Sequence, residues 1–125
     1  MGIMKEIRCP SCHRDWKAAV GHGRMHGKLD RAVEAFPEEL QRKIRMDAGL
    51  GDEPLFLFNY RLAVCPECKD IVAVPFLRFL ETGWEYVSPC PKCGGKAEVL
   101  EEDIPGVCPN CQKAGLEAEE TGHWD

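Results

Sequence analysis

Residues 90–111 read Cys90-Pro91-Lys92-Cys93-Gly94-Gly95-Lys96-Ala97-Glu98-Val99-Leu100-Glu101-Glu102-Asp103-Ile104-Pro105-Gly106-Val107-Cys108-Pro109-Asn110-Cys111. Two Cys-Pro-x-Cys turns flank a short strand and an acidic bend. Two cysteines three apart on a tight turn supply half of a tetrahedral thiolate site. The same tetrapeptide occurs at Cys9-Pro10-Ser11-Cys12 and at Cys65-Pro66-Glu67-Cys68, so four such turns account for all eight cysteines. The metal ligands expected are therefore Cys9, Cys12, Cys65, Cys68, Cys90, Cys93, Cys108 and Cys111, as two four-cysteine sites.

Each of these knuckles has a residue-level logic. Backbone N–H groups around the turn point at sulfur and stabilise thiolate, and Pro at the second position removes a donor that is not needed. The residue after the second cysteine favours positive φ, which glycine tolerates best. Only Gly94 meets that preference; His13, Lys69 and Gln112 stand in the matching places, and their turns are expected to be strained.

Working outward, Ile7-Arg8 and the run His13 to Val20 frame the first knuckle as short strands entering and leaving it. Gly21-His22-Gly23-Arg24-Met25-His26-Gly27 is too glycine-rich for helix or strand. Leu29, Ala32, Val33 and Phe36 recur at helical spacing, and Pro37-Glu38-Glu39 suits the start of a second helix with Leu40, Ile44 and Ala48 on its apolar edge. From Leu55 the period is two, with Phe56, Phe58, Tyr60, Leu62 and Val64 on one face. Ile71 to Leu80 is a second strand, which Pro75 places at an edge or bulge. Trp84 to Val87 returns to the third knuckle, and the acidic tail from Ala114 is expected to fray, with a docking role open to Trp124.

The 125 residues, 12 Gly and 9 Pro leave an interrupted core that needs a staple. No apolar run reaches membrane-spanning length and the start shows no signal region, so a cytoplasmic location is expected. There, paired Cys-x-x-Cys reads as metal binding rather than disulfide. The formal charge is −5; two zinc-tetrathiolate units would take it to about −9. Residues 1–64 carry 11 Lys+Arg against 9 Asp+Glu, and residues 65–125 carry 5 against 12. An acidic chain is a poor non-specific nucleic-acid binder. Lys69, Lys92, Lys96 and Lys113, each close to a knuckle, read as local compensation for thiolate charge.

Residues 90–111 closely resemble a zinc ribbon, and the whole chain resembles a tandem zinc-ribbon protein with four-cysteine knuckle sites, loosely so over its first 68 residues because 52 residues separate Cys12 from Cys65. It is also similar to a group of uncharacterised bacterial proteins with a Cys-Pro-x-Cys start and a Gly-His-Gly-like loop, a resemblance that carries no activity. The expected fold is a small metal-stabilised α+β chain: two β-rich zinc ribbons with rubredoxin-like knuckles and a helical insertion at about 28–48. Residues 1–89 would form an N-terminal ribbon with that insertion, and residues 90–125 a C-terminal ribbon with an acidic tail, the two able to pack as one domain.

Ribbon spacing, with 14 residues between Cys93 and Cys108, favours sequential pairing: first knuckle with second, third with fourth. A nested pairing of first with fourth and second with third is the alternative, ahead of an interleaved cross-brace. Closure entropy separates 52-residue from 21-residue loops by less than about 1 kcal/mol.

Two zinc ions are expected, with iron the alternative because a tetrahedron of four sulfurs accommodates either. His22 and His26 are spaced i, i+4 but lack a helix to present them, so an ordinary, partner-contacting loop is the reading. Ser11, Ser88, Thr82 and Thr121 form no nucleophile pattern with histidine, and every cysteine is committed to metal. The expectation is a non-enzymatic interaction or adaptor module acting on a protein, with no membrane or small-molecule substrate. The rival classes are a nucleic-acid-binding ribbon contacting through Arg24, Lys28, Arg42, Lys43 and Arg45, a rubredoxin-like iron electron carrier, and a redox-switched thiol protein.

Overall fold

The computed structural model describes residues 2–21, 27–49, 51, 53–101 and 104–124. The chain forms β1 (Gly2–Arg8), β2 (Asp15–Val20), α1 (Leu29–Val33), α2 (Glu38–Ala48), β3 (Phe56–Cys65), β4 (Asp70–Phe79), β5 (Glu85–Val87), β6 (Glu98–Val99) and β7 (Glu117–Trp124). These make two antiparallel sheets, β2-β1-β7 and β5-β4-β3-β6. Among the described residues the result is a small β-rich arrangement with two helices and two cysteine tetrads.

The helical segment forms where the 3.6-residue period placed it. Leu29, Ala32, Val33, Phe36 and Ile44 are buried against Phe58, Leu77, Phe79 and Tyr86 of the four-stranded sheet. Pro37 caps α2 with an extended backbone (φ −61°, ψ 156°), and its carbonyl accepts from Gln41 N at 2.9 Å. Gly49 ends the helix at φ 76°, a conformation costly for a residue with a Cβ. The Tyr86 hydroxyl donates to Asp47 Oδ2, fastening the helix end to β5.

Tyr60 joins the two sheets. Gly21 N donates to Tyr60 O at 2.8 Å and Tyr60 N to Gly21 O at 2.6 Å. This pairing also explains Pro75, which the sequence placed at an edge or bulge but which lies in β4, an interior strand. Pro75 stands opposite Tyr60, whose N–H and C=O are both taken by Gly21. No ladder bond is required of Pro75 toward β3. On its other side its carbonyl accepts from Ser88 N at 3.2 Å, just past the end of β5.

The acidic tail is not frayed. Residues 117–124 pair with the whole of β1, with one register shift between Met4 and Lys5. Trp124 anchors it: the indole Nε1 donates to Val20 O at 3.0 Å and the ring meets Tyr60 edge-on with centroids 5.6 Å apart. Gly2 is the matching feature, since a Cβ there would sit 2.0 Å from the indole ring. The acidic composition hid this because the stabilising contacts come from one aromatic residue and backbone pairing.

Candidate metal centres

The four knuckles share one backbone geometry. His13, Lys69 and Gln112 adopt φ of 64°, 56° and 65°, and Gly94 adopts 75°. Each donates its N–H to the carbonyl of the first cysteine of its pair, at 2.8–2.9 Å. Cys9, Cys90 and Cys108 in turn donate to the carbonyls of Arg14, Gly95 and Lys113, and Cys65 is registered opposite Asp70 in the same way. Left-handed backbone costs an L-residue about 1–2 kcal/mol. That strain is retained at three non-glycine positions, as expected, because the turn must aim two sulfurs at one point.

The eight sulfurs gather as Cys9, Cys12, Cys108 and Cys111 (centre A) and Cys65, Cys68, Cys90 and Cys93 (centre B), with the ligand atoms of each set all within 4.8 Å of one another. The pairing is therefore nested, not the sequential one that ribbon spacing favoured. Cross-knuckle distances are 3.6 Å for Cys9–Cys111, 3.7 Å for Cys12–Cys108, 3.3 Å for Cys65–Cys93 and 3.8 Å for Cys68–Cys90. A tetrahedral ion with metal–sulfur bonds of about 2.3 Å needs sulfurs about 3.8 Å apart. Disulfide sulfurs would lie about 2.05 Å apart. Both tetrads fit a metal ion.

Sheet pairing decides the partners. β1 enters the first knuckle and β7 follows the fourth, and their register sets Arg8 opposite Glu117. The third knuckle is brought to the second by β6, where Glu98 faces Val64 and Val99 faces Ala63. The entropy differences that left the pairings nearly equal are small beside these ladders and the core they bury. Ile7, Trp16, Ala18, Leu62, Ile71 and Leu116 pack with Cys9 and Cys108 around centre A. Ala63, Val72, Val74 and Ala97 pack with Cys65 and Cys90 around centre B.

Burial alternates within knuckles. Cys9, Cys65, Cys90 and Cys108, the first of each pair, are buried, whereas Cys12, Cys68 and Cys111 are half-buried and Cys93 is exposed. The Arg14 backbone N–H and the Asn110 side chain lower Cys12 to about 6. The Cys68 backbone N–H lowers Cys65 to about 7, while burial and its cysteine neighbours push Cys68 up to about 12. Four like charges this close cannot all ionise alone. A dication would remove that conflict and allow four thiolates.

Of the lysines near knuckles, Lys92 pairs with the Asp70 carboxylate at 3.2 Å. Its partner is an acid rather than the thiolates, so the compensation expected of it acts at one remove. His22, Arg24 and His26 lie outside the described residues. His13 is used by its backbone, in the left-handed turn after Cys12. The sequence reading missed Asp70, a buried acid with three donors, because a lone aspartate after a knuckle carries no pattern.

No helix among the described residues is long and apolar enough to cross a membrane. No protein-family model, curated protein or solved structure matches this chain, so its description as a β-rich chain with two four-cysteine clusters rests on its own geometry.

Proposed function

We propose that this chain is a non-enzymatic protein-interaction module built on two structural four-cysteine zinc sites in a tandem-ribbon-like arrangement. The observation that carries this reading is the pair of closed sulfur tetrads. Four thiolates fill a tetrahedral shell and leave no position for a substrate or water, as structural zinc requires and catalytic zinc does not. The ions act as rivets for sheets whose core is small.

A candidate contact surface supports the adaptor role. Leu55, Leu57 and Leu80 are 65%, 49% and 55% exposed at one end of the four-stranded sheet. Leu80 N donates to Leu55 O at 3.0 Å, placing those two leucines side by side, and Leu57 lies opposite Arg78. Clustered apolar side chains are the usual mark of a protein partner. The net charge of −5 argues against the phosphate backbone as that partner.

Two measurements test the proposal. Elemental analysis of native protein should find two zinc ions per chain; iron with visible charge-transfer absorption would replace zinc by the carrier reading. Nuclease-treated affinity purification should recover a protein with the parent chain and lose it with Leu57→Asp/Leu80→Asp. Retention of the same partner by that variant would remove the surface from the proposal.

A further inference from the structure

Among the described residues, Asp70 is the only charged side chain that is buried. Its backbone belongs to centre B: it is two residues past Cys68 and stands opposite Cys65. Its side chain reaches centre A. Oδ1 accepts from Trp16 Nε1 at 2.9 Å and from the Arg14 guanidinium. Oδ2 accepts from Lys92 Nζ at 3.2 Å. Arg14 follows Cys12 by two residues, and Lys92 lies between Cys90 and Cys93. One carboxylate thus touches the first, second and third knuckles, which are drawn from both tetrads.

We propose that Asp70 couples the two metal centres, so that filling either one strengthens metal binding at the other. Arg14 is the lever on the centre A side. Its carbonyl accepts from Cys9 N at 2.9 Å and closes the first knuckle, while its guanidinium lies over Trp16 with 5.3 Å to the ring centroid. Trp16 is packed with Cys9 and Cys108. When centre A is empty, the knuckle holding Arg14 loosens and the buried carboxylate loses its guanidinium partner. Losing Arg14 leaves Oδ1 with the Trp16 indole alone and Lys92 as the remaining cation on a buried carboxylate, which costs stability.

That cost falls on the Cys65–Asp70 rung and on Lys92, and so on the placement of three centre B ligands. The reverse path runs through the same atoms, as thermodynamic linkage requires. Asp70 is therefore a positioning residue for both ions without ligating either.

The coupling rests on the reading that both tetrads hold metal, and the test separates the two. Zinc affinity of centre A is measured by competition with a chromophoric chelator, in the parent chain and with centre B disabled by Cys93→Ser. The pair is then repeated in an Asp70→Asn background. Disabling centre B should weaken centre A about tenfold in the parent chain, and less than about twofold once Asp70 is Asn.

A merely structural Asp70 would weaken both centres yet leave that ratio unchanged, and an unchanged ratio overturns the proposal. Should Asp70→Asn fail to fold, Arg14→Gln breaks the same link from the other side and should give the same collapse of the ratio. Native mass spectrometry of the parent chain at zinc saturation supplies the independent check: two zinc ions per chain are expected. A limit below two refutes the metal reading, whereas two ions bound with an unchanged affinity ratio refute the coupling alone.

Discussion

Paired cysteine substitutions test the nested arrangement directly. Cys9→Ser and Cys108→Ser remove ligands from the same centre, so each should leave one zinc ion per chain. The double substitution should also leave one and cost no more stability than the worse single change. Cys9→Ser/Cys65→Ser should leave none. Structural zinc contributes about 10–16 kcal/mol in small finger peptides, against a total stability of about 5–15 kcal/mol for an ordinary domain. Losing one centre should therefore abolish the cooperative transition of the sheet it serves. The centres should not cost the same. Centre A bridges Cys12 and Cys108, 96 residues apart, and centre B bridges Cys68 and Cys90, 22 apart. The longer constraint adds about 1 kcal/mol of loop-closure entropy to centre A, so Cys108→Ser should lower the urea midpoint more than Cys90→Ser. The assays are metal content by mass spectrometry and urea denaturation followed by circular dichroism. One zinc ion retained in Cys9→Ser/Cys65→Ser, with none in Cys9→Ser/Cys108→Ser, would restore the sequential pairing and refute the geometry described above.

Two further outcomes are expected. Centre B should release its ion first under a thiol-reactive reagent, because Cys93 is exposed while every ligand of centre A is buried or half-buried; cobalt-substituted protein treated with limiting reagent should lose about half its thiolate absorption while Cys9 and Cys108 stay unlabelled. Tyr86→Phe should cost about 1.5 kcal/mol at neutral pH by removing the hydrogen bond to Asp47. Burial and Asp47 raise the Tyr86 phenol above its ordinary value, so its contribution is full below the unfolded pKa of about 10 and is lost as pH rises beyond it. Parent and variant should therefore converge in urea midpoint under strongly alkaline conditions, and a constant gap would discount the phenol.

Much of the candidate site was legible because its signal is local. The four Cys-Pro-x-Cys turns, the positive-φ demand at His13, Lys69, Gly94 and Gln112, and the apolar stripes of α1, α2 and β3 depend on residues within a few positions of each other. What was not legible depends on partners far apart in the chain. The choice among pairings turned on β1 meeting β7 and β3 meeting β6, and ribbon spacing points the wrong way when the strands between knuckles belong to different sheets. Pro75 was misplaced because its missing donor matters only relative to the hydrogen bonds of Tyr60. The acidic tail was misread because Trp124 finds its seat on Gly2, at the opposite end of the sequence. Alternation in β3 suggested one covered face, yet Ala63 is fully buried as well, in a cluster with Val72, Val74, Cys90 and Ala97.

The seat of Trp124 on Gly2 has a consequence for biosynthesis. A ribosome delivers β1 and the first knuckle more than a hundred residues before the strand that must lie beside them. All four sulfurs of centre B emerge earlier than the last two of centre A, so the inner clasp can shut while the outer one still waits with two bare thiols. The nascent chain thus carries an unsatisfied sheet edge and an open chelating turn until β7 arrives. Metal supply and shielding of those thiols during that interval would then bear on how much of it reaches the native state.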